Sequence, residues 1–308
     1  MQEEFQQTIS QPIIFEGIGL HSGKLSKVKL LPGESNQGII FKRSDLKENN
    51  LIEANYKNVT SARLCTTLEN SFGAKVSTVE HLLAALYIVG VDNLIIEVDK
   101  EEVPIMDGSS KDFVEVLRKV GNKQLDKKRR FLKILDKVEL EDNGRKISIE
   151  PSELDFEVNF ELNYSNKIIG NQKNTVKFLN DNLEDIYSSR TFCLFKDIEK
   201  IKKSGLAKGG SLDNAIVVDE EKIINEDGLR NEKEFVNHKI LDLAGDFLLS
   251  GYRIYGKVNC SGGGHQLSNI FLKKLFNLKN SFTVIGSANF KLSEKALVNQ
   301  PQKQAVNA

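Results

Sequence analysis

The 308-residue chain reads as an α+β protein, and three features of the sequence predict this. Short strand patterns bounded by turn residues alternate with stretches whose apolar residues recur at helical spacing. That alternation restarts after the charged run DKKRR at 126–130, giving a second sheet with its own helices. The length also exceeds what one compact core usually holds, so two domains, or one elaborated domain, are expected.

From the N-terminus, VKL at 28–30 and IIFKR at 39–43 read as strands separated by the turn-rich LPGESNQG. In STVEHLLAAL, at 77–86, Ser77, Thr78 and Glu80 announce a helix with Leu82, Leu83, Leu86 and Val89 on its apolar face and Gly90 at its end. A buried strand, NLIIEV, leads through VPIMDGSS into a second helix carrying Phe113, Val116, Leu117 and Val120 on one face. The basic run at 126–130 reads as a solvated connector rather than a nucleic-acid contact, which divides the chain into 1–126 and 127–287. Beyond it FLKIL, KISIE and FEVNFEL are strands, the last alternating Phe156, Val158, Phe160 and Leu162. The stretch FCLFKDIEKIKKSGLAKGGSLDNAIVVD supplies a helix and a strand joined by a Gly-rich turn. Residues 232–250 form the longest helix, with Phe235, Leu241, Leu243, Phe247 and Leu248 as apolar members. The polar stretch 288–308 reads as a disordered tail.

Composition narrows the function classes. With 43 Lys plus Arg against 43 Asp plus Glu the formal charge is zero, which leaves no electrostatic footprint for nucleic acid and favours a small-molecule partner. No apolar run reaches the roughly 18 residues of a membrane span, and MQEEFQQTIS lacks the regions of a signal peptide, so a cytoplasmic protein is expected. Cys65, Cys193 and Cys260 are too far apart for a metal knuckle and read as reduced, small buried residues.

The chain has only four histidines, His21, His81, His238 and His265. In NHKILDLAGD, His238, Asp242 and Asp246 follow one another at i, i+4 and i+8 and project from one side of a helix. Each candidate has an ordinary reading on its own: a wet helix face for that trio, a capping box for Glu80 three residues after Ser77, a satisfied core histidine for His81, and a loop residue among turn glycines for His265. Taken together, two imidazoles and a carboxylate are a catalytic zinc set with a fourth position for water. Glu80 and His265 then suit general base and general acid. The absence of HExxH excludes a zincin-type helix, so the ligands have to come from two distant helices. The same trio serves Fe(II) oxygenases, which have no use for Glu80, and a non-catalytic sugar-nucleotide or acyl-chain binder with a degenerate site is the third reading.

Five motifs in order, STVEHLLAAL, VPIMDGSS, SRTF, NEDGLRNEKEFVNHKILDLAGD and GHQLSN, together with GIGLHSG near the start, run from residue 17 to residue 269. They resemble the zinc-dependent UDP-3-O-acyl-N-acetylglucosamine deacetylase family of Gram-negative lipid A synthesis. The resemblance implies two similar α+β domains, each a sheet packed with helices, with the active site between them. His81, His238 and Asp242 would ligate one Zn2+ per chain, with Fe2+ as the alternative metal in the cell. Glu80 would be the general base, and His265 would protonate the leaving amine or stabilise charge, oriented by Asp246. Thr191 would stabilise the oxyanion, while Lys239 and Phe192 would meet the substrate at its diphosphate and at apolar or ring surface. The reaction would release acetate and leave the free glucosamine amine, the committed step of lipid A biosynthesis. An insert at about 193–225, carrying Leu194, Phe195, Ile198, Leu206 and Ile216, would build an apolar passage for the 3-O-acyl chain, and that chain would bring the protein into transient contact with a membrane surface. One departure concerns the nucleotide phosphates: Gly262 stands where a basic residue is often found. His21 is expected to be structural or to support the site from behind. Neither the acyl length nor the oligomeric state is legible.

Overall fold

Two β-sheets drawn from successive parts of the chain frame the computed structural model, which describes residues 4–152 and 155–286. The first has five strands in the order Ile13–Ile18, Leu25–Pro32, Leu94–Val98, Ile39–Arg43, Leu51–Glu53, all antiparallel except the pair 39–43 and 94–98. Alternation dictates its faces: Ile13 and Phe15 are buried while Ile14 and Glu16 face water. The second has seven strands and centres on Arg253–Ser261, flanked by Arg145–Glu150, Phe156–Asn163 and Arg130–Ile134. In Phe156–Asn163 the period-two pattern holds throughout, with Phe156, Val158, Phe160 and Leu162 all buried.

Six helices are present among the described residues: α1 Glu80–Val89, α2 Lys111–Val120, α3 Glu184–Tyr187, α4 Phe195–Lys203, α5 Glu234–Leu248 and α6 His265–Asn277. The amphipathic α2 lies on the first sheet through the edge-to-face pair Phe15–Phe113. Helix α5 packs on the second sheet through Phe247 and Phe156, and on α6 through Phe247 and Phe271. Tyr87 of α1 touches Phe156 as well, so α1 reaches the second sheet.

Three features depart from or extend the sequence reading. The run at 126–130, read as a solvated connector, carries regular structure: Asn122–Lys128 is a largely exposed strand paired antiparallel with Phe5–Ile9, and Arg129 is buried with its guanidinium on Asp92 (2.7 Å) and the Gly90 carbonyl (2.7 Å). Charge there marks the wet face of a two-stranded ribbon, whose partner strand lies at the other end of the first half. Phe282–Gly286 is a further strand, antiparallel to Arg130–Ile134, and FCL at 192–194 pairs in parallel with Ile216–Val218. The tail expected at 288–308 lies outside the described residues.

Candidate metal centre

The mouth of α1 meets the middle of α5. A Cβ at Gly245 would stand 2.1 Å from the backbone oxygen of Glu80, so only glycine at this point of α5 lets the two backbones come so close. Every residue of α5 except Lys239 is buried, which excludes a wet face for His238, Asp242 and Asp246.

Close approach brings His81 of α1 against His238 and Asp242 of α5. His81 Nε2 lies 3.5 Å and His238 Nε2 3.4 Å from Asp242 Oδ1, and the imidazoles are nearly perpendicular at 85°. Ligands about 2.1 Å from a tetrahedral Zn2+ would be spaced by about 3.4 Å; both imidazole nitrogens stand at that spacing from the carboxylate oxygen, and the three residues offer ligand atoms within 4.8 Å of one another. Asp242 Oδ1 is buried without a hydrogen-bond partner, although buried polar atoms are rarely left so. His238 Nδ1–H donates to the Ser189 carbonyl at 3.0 Å, directing the Nε2 lone pair into the cluster. Burial pushes this imidazole down to about 3 despite the pull of Asp242, so it is neutral, as a ligand must be. Burial opposes ionisation of Asp242, but His238, Lys239 and His265 overcome it and hold its carboxyl well below the usual range. These residues fit a resident divalent ion.

Glu80 is not the capping residue its spacing suggested. The N-cap of α1 is Val79 with no side-chain cap; Thr78 turns the chain at φ 56° and gives its hydroxyl to Glu102, and the Glu80 carboxylate instead accepts the Thr66 N–H at 3.0 Å. Burial raises the carboxyl above its ordinary range, against the pull of His265 and His81, which makes it a better proton acceptor near neutrality. His265, the first residue of α6, points Nε2 at Glu80 Oε1 (3.8 Å) and Asp242 Oδ2 (4.0 Å), with Nδ1 on Asp246 Oδ2 at 3.0 Å. Burial would lower its pKa, but Asp246, Glu80 and Asp242 together push it up to about 10.

The structure thus brings together His81, His238, Asp242, Glu80, His265 and Asp246. Lys239 and Phe192 stand beside them: Lys239 Nζ is 2.9 Å from Asp242 Oδ2 and 5.3 Å from the centre of the Phe192 ring, which itself stands edge-on to Phe235. Thr191 stands just before Phe192, in the strap of residues 188–191 between α3 and the strand Phe192–Leu194. Its N–H donates to the Gly108 carbonyl (2.7 Å), and the residue lines a neighbouring apolar cavity together with Phe192.

Sequence reasoning missed the supports. Thr66 bridges the site, its N–H on Glu80 and its hydroxyl on Asp246 (2.7 Å); nothing in its local sequence marks it. Arg190, 2% exposed, is clamped by Glu234 (2.9 Å) and Asp227 (2.7 Å) and so fixes the strap that presents the Ser189 carbonyl to His238. The SRTF motif was the available signal. Ser110 of VPIMDGSS donates its hydroxyl to the His81 carbonyl (2.7 Å), and the backbone N–H groups of His21 and Ser22 both donate to Glu102, beside Thr78. At Gly262, a Cβ would meet the aliphatic stem of Arg145 at 3.4 Å, while the guanidinium of that residue pairs with Asp142 (2.6 Å).

Beside the cluster lies a cavity of about 380 Å³ lined by Leu64, Phe192, Phe195, Ile198, Ile201 and Val217 among others. Of the five passage residues expected in the insert, Phe195 and Ile198 line it. Ile216 is instead a core residue of the 216–218 strand, fully buried, and Leu194 and Leu206 are not in the lining.

The family model described as UDP-3-O-acyl N-acetylglycosamine deacetylase matches residues 6–277. Similar proteins include UDP-3-O-acyl-N-acetylglucosamine deacetylases of Geotalea uraniireducens (40% identical, covering 91% of each chain) and Pseudoalteromonas translucida (41%, covering 90% of this chain and 92% of the relative). The enzyme of that name from Nautilia profundicola is 42% identical over 88% of this chain and 91% of its own.

Proposed function

Since this chain belongs to the UDP-3-O-acyl N-acetylglycosamine deacetylase family, we propose that His81, His238 and Asp242 hold a single Zn2+ and that the residues around them cleave the acetamide of UDP-3-O-(3-hydroxyacyl)-N-acetylglucosamine. The family's reaction is a hydrolysis that frees the glucosamine amine and acetate in lipid A biosynthesis. One observation carries the assignment of the site: two imidazoles stand 3.4–3.5 Å from one unpartnered carboxylate oxygen, with a second carboxylate and a third imidazole alongside.

Zinc bound there would lower the pKa of a water toward about 7 and polarise the acetamide carbonyl. Glu80, its pKa raised by burial, accepts a proton from the attacking water, held in place by the Thr66 N–H. His265, kept protonated by Asp246, donates to the departing amine or stabilises the charge that develops. Thr191 supplies a hydroxyl toward the oxyanion, Lys239 a cation for the diphosphate, and Phe192 a ring against the sugar or acyl stem. The apolar cavity takes the 3-O-acyl chain. The division at 126/127, the insert at about 193–225, the transient membrane contact and the cytoplasmic setting belong to the same proposal; no described helix is long and apolar enough to cross a membrane.

The test is acetate release from UDP-3-O-(3-hydroxyacyl)-N-acetylglucosamine by the purified protein. Release is expected to disappear on chelation and to return with one equivalent of Zn2+. Oxygen-dependent turnover requiring iron, or no release from the folded, zinc-loaded protein, would overturn the reading.

A further inference from the structure

We propose that α4 and the loop after it form a docking surface for an anionic membrane, against which the mouth of the apolar cavity opens. The inference rests on reading that cavity as the acyl-chain site. None of the nine residues of α4 is buried, although Phe195, Ile198 and Ile201 line the cavity. Leu64, Phe195 and Leu212 both line it and stand 43%, 54% and 46% exposed, so the cavity reaches the surface through an apolar rim. A contiguous rim of large apolar side chains marks a surface that something other than water covers.

Charge identifies the cover. Residues 196–208 carry five lysines, Lys196, Lys200, Lys202, Lys203 and Lys208, against Asp197 and Glu199, a local excess of three positive charges in a chain whose formal charge is zero. All five lysines are exposed. Lys203 pairs with Glu199 at 3.5 Å, and among the described residues the other four make no ion pair. An apolar rim with Lys202 in its lining and four further exposed lysines on the same short segment matches a bilayer with anionic headgroups, where each basic residue adds attraction and apolar side chains enter the interface. An acidic protein would satisfy the lysines but not a rim continuous with a cavity for a lipid chain. Docking there would let the acyl chain pass between bilayer and cavity without exposing its methylenes to water.

The experiment is co-sedimentation of the full chain with vesicles of phosphatidylcholine alone and of equal parts phosphatidylcholine and phosphatidylglycerol, at low and high salt. Binding is expected only to the anionic vesicles and only at low salt. The Lys196→Glu/Lys200→Glu pair should weaken it at least about tenfold, with acetate release from a short-acyl, water-soluble substrate unchanged. If that pair impairs folding, Lys196→Gln/Lys200→Gln should show a smaller loss of binding in a folded protein. No binding, equal binding to both compositions, or binding indifferent to these substitutions would overturn the docking surface. Acetate release without vesicle binding rejects the docking and spares the deacetylase; vesicle binding without acetate release rejects the deacetylase reading and leaves the surface standing.

Discussion

Gly245 of α5 sits against the backbone oxygen of Glu80 at the start of α1, where a Cβ would be only 2.1 Å away. This contact sets the distance between the helix that carries His81 and the helix that carries His238 and Asp242. The obstacle is backbone, which no rotamer change relieves. Gly245→Ala is therefore expected to destabilise the fold by about 1–3 kcal/mol and to weaken zinc binding by spreading the ligands. Thermal unfolding of the apo and zinc-loaded forms checks both; a variant with wild-type stability and zinc affinity would show that the crossing tolerates a wider spacing.

Glu80 is not among the three residues whose ligand atoms converge, and its carboxylate is held by Thr66. Glu80→Ala should lower kcat by about a hundredfold or more while zinc stays near one per chain by elemental analysis. Loss of the metal together with activity would make Glu80 a ligand.

His265 has its pKa raised to about 10, so in the folded protein it is charged at neutral pH and loses its proton on the alkaline side. With His265 as the acid, activity falls as pH rises through that value. Asp246→Asn removes the largest charge that raises it, so the alkaline limb of the kcat/KM profile should move to lower pH, and His265→Ala should abolish that limb. A limb that stays in place in Asp246→Asn would separate Asp246 from the acid.

Arg190 and Glu234 are both essentially buried, at 2% and 0% side-chain exposure. Glu234→Ala leaves a buried guanidinium with only the exposed Asp227 as ionic partner, and a loss of about 3 kcal/mol is expected, or a fall in Tm of about 5 °C for a chain of this size. The Ser189 carbonyl that orients His238 belongs to the same strap, so zinc affinity should fall as well. Isothermal metal titration beside the melting curve distinguishes this from a purely global effect.

Shortening the 3-O-acyl chain should reduce kcat/KM, because each methylene buried in the cavity contributes about 0.8 kcal/mol. Steady-state comparison of substrates of graded length measures the slope. Equal efficiency on UDP-N-acetylglucosamine without an acyl group would remove the cavity from substrate binding.

Several strands, such as 39–43 and 156–162, and the helices α1, α2 and α5 were legible because their burial follows periods of two and 3.6, whereas the central strand Arg253–Ser261 and helix α6, whose first residue His265 read as part of a loop, were not. The ligand trio was legible as candidates because His238 and Asp242 share one helix face, while His81 required the motif as a whole. The strand at 122–128 was not legible because its charged, solvent-facing residues carry no sign of the strand at 5–9 that pairs with it. The strand at 282–286 has the same dependence on a distant partner.

The sequence by itself determined the α+β class, the residues able to bind a metal and move protons, and the neutral charge that points away from nucleic acid. Only the tertiary structure decided which of those residues meet. Glu80, spaced as a capping residue, is instead a buried carboxylate that accepts the N–H of Thr66 from a separate segment. Asp246 turned from a wet helix face to the support of His265 because α5 is buried on every side but that of Lys239. Local periodicity follows from interactions a few residues apart, whereas the environment that shifts a pKa or spaces three ligand atoms is assembled from segments far apart in the chain, and it exists only once they pack.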